Sequence, residues 1–88
     1  MMTPEQKEFY RKNILRQLDA CRVPLLGAAL LNGLKWGGFE STDAAEMELE
    51  IAYLAEKGFL RVVPDQISAG VRRYKITAAG IEFMEANL

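Results

Sequence analysis

The chain has 88 residues, half of them hydrophobic, which is the size of one small domain and too apolar for extended disorder. It has no histidine and a single cysteine, Cys21, so an intrachain disulfide is excluded and a cytosolic setting is favoured. The net charge is −1, but residues 1–39 carry +3, residues 40–57 carry −5 and residues 58–88 carry +1. An acidic middle segment is therefore flanked by two basic ones.

The beginning of the chain has no basic segment followed by an apolar run, so we expect no signal peptide. The longest uncharged stretch covers residues 23–34, which is shorter than the roughly 20 residues that cross a bilayer. The sequence therefore predicts one cytoplasmic domain over residues 1–88, without a membrane contact.

A first helix is predicted to begin at Thr3, which can cap it, with Pro4 in the first turn and Gln6 returning a hydrogen bond. The helix should end near Arg22, because the residue before Pro24 is pushed out of helical geometry. Apolar residues recur at helical spacing and predict one buried stripe: Tyr10, Ile14, Leu18 and Cys21.

The segment from Pro24 to Leu31 is apolar on every side, which predicts a helix buried by its neighbours. Two glycine-containing pairs, at residues 32–33 and 37–38, predict the breaks that follow, with Trp36 and Phe39 sealing the turn.

A third helix is predicted from Asp43, which can cap it with Glu46 three residues later, to about Lys57, with Gly58 as the C-cap. Its predicted core stripe consists of Ala44, Met47, Ile51 and Leu54.

After Gly58 the apolar period changes to two, which predicts strands over residues 59–63 and 71–76 with a turn between them. The side chains expected to face the core are Leu60, Val62, Tyr74 and Ile76. Thr77 can cap a closing helix, and the apolar residues that would anchor it are Ile81, Phe83, Met84 and Leu88.

Three local features resemble the winged helix-turn-helix family. They are the sequence LAEKGFLRV at residues 54–62, the sequence RYKITAAG at residues 73–80 and the buried segment at residues 25–31, placed where the family has its second helix. The resemblance covers nearly the whole chain and extends to small members from phages and prophages. It implies an α+β fold in which three helices are followed by a two-stranded hairpin, the wing, and a C-terminal helix.

The resemblance also implies a DNA-binding transcription regulator that can form a homodimer and whose third helix enters the major groove of double-stranded DNA. The third helix of this chain departs from that pattern, because phosphate contacts require cations and it carries only Lys57 against five acidic side chains: Asp43, Glu46, Glu48, Glu50 and Glu56.

The wing is the alternative route to phosphates. Arg61, Arg73 and Lys75 should share the face opposite the core, with Arg72 nearer the turn. We therefore predict DNA contacts from these four residues and from Thr42, close to the start of the third helix. These charges, and the basic side chains of the first helix, could equally be ordinary solvated groups, some of them paired with Glu5, Glu8 or the acidic third helix.

A second hypothesis is a protein-interaction module without direct DNA binding. The third helix places Leu49 and Tyr53 away from its predicted core stripe, and Phe9 similarly points away from the stripe of the first helix. We predict a partner-binding patch formed by Phe9, Leu49 and Tyr53 and rimmed by Glu46 and Glu50. Packing within the small fold could equally cover these apolar side chains.

Enzymatic activity is not expected. Histidine is absent, the one cysteine has no histidine partner, and the glycines match neither a phosphate-binding loop nor a dinucleotide fingerprint. The acidic residues lack the spacing of a calcium loop, so we predict no cofactor and no metal site.

Overall fold

A computed structural model describes residues 2–21, 23–65, 67–68 and 70–86. Its elements in chain order are α1 (Pro4–Ala20), β1 (Leu25–Leu26), α2 (Gly27–Trp36), α3 (Ala44–Glu56), β2 (Leu60–Pro64), β3 (Arg72–Ile76) and α4 (Ala78–Ala86). The three strands form one antiparallel sheet in the order β1-β3-β2. The predicted order of helices and hairpin strands is confirmed, and β1 is an addition to it.

Local capping signals place the beginnings of three helices. The Thr3 side chain and the Gln6 side chain exchange hydrogen bonds with each other's backbone N–H at the start of α1. Asp43 accepts a hydrogen bond from the backbone N–H of Glu46, and Thr77 accepts one from that of Gly80. Because each bond spans three residues, the sequence alone was sufficient to predict them.

The prediction that Leu25 and Leu26 begin a helix is wrong. They form β1, opposite Tyr74 and Arg73 of β3, and the helix begins only at Gly27. Pro24 disfavours helical geometry in the residue before it, and the open edge of β3 offers backbone partners to the extended residues that follow. The pairing crosses almost fifty residues of chain, which is why local apolar character does not reveal it.

The core lies between the helices and the inner face of the sheet. The buried residues of α1 are Tyr10, Ile14, Leu15 and Leu18; those of the other elements are Leu30, Leu34, Met47, Ile51, Leu54, Leu60, Tyr74 and Ile76. Ala44 and Val62 were expected to face the core, but Ala44 is exposed and Val62 is half exposed. Trp36, expected to cover the turn after α2, is also exposed. Cys21 follows the last residue of α1, and the predicted Arg22 and Leu88 positions lie outside the described residues.

A buried polar contact ties α1 to the turn between α2 and α3. The Tyr10 hydroxyl and the Thr42 hydroxyl are 2.7 Å apart and both side chains are buried. The ring of Phe39 meets the ring of Tyr10 edge-on, with 4.9 Å between centroids. Phe39 therefore seals this turn as predicted, whereas the exposed Trp36 does not.

This buried tyrosine predicts a loss of stability at alkaline pH. Burial raises the pKa of Tyr10 above the ordinary value of 10.0, the hydrogen bond with Thr42 lowers it in part, and the carboxylates of Glu46, Glu50 and Asp43 raise it further. Because the folded-state pKa of Tyr10 is raised, its contribution to the free energy of unfolding is fully present below pH 10. That contribution is lost as the pH rises through the folded-state pKa.

We expect the free energy of unfolding, measured by urea titration, to fall as the pH rises from about 10 to about 11. Tyr10→Phe should lower it by about 1 kcal/mol at neutral pH, since the buried Thr42 hydroxyl loses its partner, and should flatten the alkaline decline. The same steep decline in Tyr10→Phe would assign the alkaline sensitivity to other groups and contradict the prediction.

Candidate nucleic-acid interface

The wing presents three basic side chains on its outer face. In the antiparallel β2–β3 ladder Arg61 lies opposite Lys75 and Val63 opposite Arg73, while Leu60 pairs with Ile76 on the inner face. Paired residues project from the same side of a sheet and successive residues from opposite sides, so Arg61, Arg73 and Lys75 share one face. The predicted common face of these three residues is confirmed.

The three basic side chains differ in their exposure and in their ion pairing. Arg61 is exposed, whereas Arg73 and Lys75 are half-buried. An Nη2 atom of Arg73 is 4.0 Å from an Oδ2 atom of Asp65, a carboxylate whose other oxygen accepts the backbone N–H of Ile67. This separation leaves the guanidinium only loosely paired, and it remains accessible to a phosphate.

Arg72 belongs to a different surface. It pairs with Pro64 and alternates with Arg73, so its side chain projects from the inner-face side of the hairpin, beyond the core. There it lines a groove with Glu48 of α3 and with Tyr74. Burial raises the pKa of the Tyr74 hydroxyl, Glu48 raises it further and Arg72 lowers it.

Thr42 is not part of an accessible contact surface. Its side chain is 4% exposed and its hydroxyl is engaged with Tyr10, so the prediction that it reaches DNA is corrected. The polar side chain at this position stabilises the turn before α3 instead.

Glu50 is also misplaced by the sequence prediction. It was expected on the exposed rim of a partner patch, but it is 6% exposed and one carboxylate oxygen lies 2.9 Å from Nε of Arg11. The same guanidinium lies over the ring of Tyr53, 3.7 Å from its centroid. These three residues form what we call the Arg11 cluster, which joins α1 to α3.

The remaining patch residues do not form one continuous surface. Leu49 is 73% exposed and Tyr53 is 39% exposed on α3, with Glu46 half-buried beside the first turn. Phe9 is 68% exposed but lies in a separate groove with Phe39 and Met84. Residues two apart on a helix point in different directions, so Phe9 faces away from the side of α1 on which Arg11 meets Tyr53.

The sequence did not single out the Arg11 cluster, although it allowed that some of the basic side chains pair with the acidic third helix. Arg11 and Glu50 are 39 residues apart, and neither position differs in local pattern from other charged helix residues. Their contact has an electrostatic consequence, because it compensates one of the five acidic side chains counted against DNA binding by α3.

Across the described part of the chain, no group of three or more Cys, Asp or Glu side chains could hold a metal ion.

Solved structures of other proteins share this arrangement of helices and strands. A candidate transcriptional regulator from Thermoplasma acidophilum superposes with a TM-score of 0.79 at 17% identity, over 98% of this chain and 81% of that one. A PadR-like transcriptional regulator from Bacillus cereus gives 0.78 at 16% identity, over 96% and 82%. The adhesin competence repressor of Streptococcus pyogenes gives 0.71 at 18% identity, over 89% and 51%.

The fold is a winged helix-turn-helix. In this fold α2 and α3 form the helix-turn-helix, and β2 and β3 form the wing. The fold class that the sequence resemblance implied is therefore confirmed. This winged-helix chain spans about half the length of the streptococcal repressor. No protein-family model and no curated protein matches the sequence. No helix in the described residues is long and apolar enough to cross a bilayer.

Proposed function

We propose that this winged-helix chain is a transcription regulator that binds double-stranded DNA mainly through phosphate contacts from its wing. The observation that carries the proposal is the strand register that gathers Arg61, Arg73 and Lys75 on the outer face of the wing. Arginine and lysine side chains neutralise phosphates without reading base sequence, so this face would supply affinity and position rather than specificity.

The acidic third helix is less unfavourable to this function than its composition indicates. Glu50 is paired with Arg11, Glu48 shares a groove with Arg72, and the carboxylate of Asp43 accepts a backbone N–H of the helix. The net repulsion of a nearby duplex is therefore smaller than five free carboxylates would produce. The exposed start of α3 carries two small side chains, Ala44 and Ala45, which could approach a groove closely.

The fold itself supports this proposal, because the similar structures include a repressor and two proteins described as transcriptional regulators. The protein-interaction alternative has the exposed Leu49 in its favour. It has less support overall, since Glu50 is buried and Phe9 lies in a different groove from Tyr53.

The proposal predicts that Arg61→Ala/Lys75→Ala weakens binding to a random duplex of about two turns by about tenfold or more at low salt. A matched control is Lys7→Ala/Lys35→Ala, which removes the same charge from exposed positions on α1 and α2. Fluorescence anisotropy measures both. If the two variants lose affinity equally, only net charge matters and the wing has no special role; if neither binds less than the parent, the proposal fails.

A further inference from the structure

The exposed face of α3 carries few side chains that can reach the edges of base pairs. After its first residue, the exposed side chains of the helix are Ala45, Glu48, Leu49, Ala52, Tyr53 and Glu56. Tyr53 is covered by the guanidinium of Arg11, and Glu56 is the last residue of the helix. Glu48 and Leu49 are therefore the two long side chains that project from the middle of this face.

Leu49 belongs to an apolar strip along the exposed face. Ala45, Leu49 and Ala52 are separated by four and three positions, so they lie on the same side of the helix. Most of the Leu49 side chain is exposed, and the buried side of α3 is formed by other residues. In the major groove the apolar group that a base pair presents is the methyl group of thymine. The small alanines beside Leu49 allow the helix to approach that group.

Glu48 provides a hydrogen-bond acceptor next to the apolar strip. It lines the groove between α3 and the wing together with Arg72, and among the described side chains it forms no ion pair. A carboxylate only accepts hydrogen bonds, and in the major groove cytosine presents its N4 amino group without an acceptor of its own. Adenine presents its amino group beside the acceptor N7, which disfavours a carboxylate. Glu48 is therefore suited to cytosine, and Arg72 offsets part of its repulsion by phosphates.

The composition of α3 leaves it no paired hydrogen bonds to purines. Guanine is read in this way by arginine or lysine, and adenine by asparagine or glutamine. The helix Ala44–Glu56 contains none of these four residue types. The base contacts available to the helix are thus those to thymine and cytosine.

We propose that α3 reads pyrimidines in the major groove, with Glu48 accepting a hydrogen bond from the N4 amino group of a cytosine and Leu49 contacting the methyl group of a thymine. This readout rests on the proposed DNA binding, because the wing supplies the affinity and α3 adds the sequence preference that phosphate contacts lack. It gives the exposed Leu49 a nucleic-acid contact in place of a protein partner.

The contact of Glu48 is tested by selecting the preferred sites of the parent chain from a duplex library randomised over about two turns. The enriched sequences should share a cytosine that is favoured over the other bases by about fivefold or more, the usual cost of one mismatched base pair. Glu48→Gln should exchange this preference for adenine, since glutamine pairs with adenine N6 and N7. Glu56→Gln is the matched control, because it removes the same charge from another exposed position of α3 and should retain the cytosine.

The contact of Leu49 is tested with uracil, which differs from thymine only in lacking the methyl group. Replacement of the enriched thymine by uracil should weaken binding by about three- to fivefold, the value of one buried methyl group. In Leu49→Ala the thymine and uracil duplexes should bind almost equally. Fluorescence anisotropy measures the four affinities.

Binding to a random duplex separates this readout from the proposed function. Both side chains are exposed, so neither Glu48→Gln nor Leu49→Ala should disturb the core or weaken this binding by more than about twofold. A parent chain that binds random duplex but enriches no common sequence would overturn the readout alone, as would a cytosine retained in Glu48→Gln or a uracil penalty unchanged in Leu49→Ala. A parent chain that binds no duplex would overturn the proposed function with it.

Discussion

Gly80→Ala is expected to lower the free energy of unfolding by about 2–3 kcal/mol, a large part of the stability of a domain of this size. A β-carbon at this position would lie 2.0 Å from the carbonyl oxygen of Phe59 and 2.8 Å from a side-chain carbon of Ile76. The first of these is backbone, so relief requires α4 to move away from the start of β2. A decrease of about 10–20 °C in Tm should accompany the change.

A matched control exists in α2. Gly33 is also a helical glycine, but the atom that an added β-carbon would meet is the end of the flexible Gln17 side chain. Gly33→Ala should therefore be close to neutral, since the gain in helix propensity of up to about 1 kcal/mol offsets the displacement of Gln17 from Asn13. Urea unfolding of both variants measures the difference. Similar stabilities for the two alanine variants would contradict the close docking of α4 on Phe59.

The second large effect is expected at the Arg11 cluster. Arg11→Met should lower the free energy of unfolding by about 2–3 kcal/mol, because it leaves the buried Glu50 carboxylate without its partner and removes a cation from the ring of Tyr53. Arg16→Met on the same helix is the control: Arg16 is exposed and, within the described residues, makes no ion pair, so its loss should cost less than about 0.5 kcal/mol.

A double-mutant cycle makes this prediction specific to the pair. Arg11→Met/Glu50→Leu should be less destabilised than the sum of the two single changes, since the double variant buries no unpaired charge. Strict additivity in urea unfolding would show that Arg11 and Glu50 contribute independently, and it would contradict the coupling that the 2.9 Å contact implies.

The features predicted correctly from the sequence are those fixed by near neighbours. The capping residues Thr3, Asp43 and Thr77 act over three positions, and the two-residue period of the hairpin was sufficient to place Arg61, Arg73 and Lys75 on one face.

The features predicted wrongly depend on partners that are distant in the chain. Thr42 is buried in a contact with Tyr10, which lies 32 residues earlier in the chain. Glu50 is buried in a contact with Arg11, which lies 39 residues earlier. Leu25 and Leu26 are extended because β3 offers them an edge. Apolar and charged character along the chain gives no information on such pairings, so composition placed Leu25 and Leu26 in a helix and Thr42 and Glu50 at the surface.

Two of the three sequence segments that carried the resemblance meet in space. In the segment at residues 54–62, Gly58 adopts a left-handed conformation with φ of 78°, and its carbonyl oxygen accepts a hydrogen bond from the Thr77 hydroxyl. The next carbonyl oxygen, that of Phe59, accepts the backbone N–H of Thr77, and Gly80 packs directly against it. Gly58 and Phe59 of one segment therefore contact Thr77 and Gly80 of the other, and these contacts hold α4 against the α3–β2 turn.

The salt dependence of binding to random duplex DNA tests the central claim of wing-led DNA contact most directly. Three phosphate contacts per chain predict that the affinity falls by roughly 40-fold between about 50 and 200 mM salt, from a logarithmic slope near −0.9 for each contact. Arg61→Ala/Arg73→Ala/Lys75→Ala should lose most of that slope, while removal of Lys7 and Lys35 should leave it almost unchanged. An unaltered slope in the triple wing variant, or no binding of the parent chain at 50 mM salt, would contradict the account.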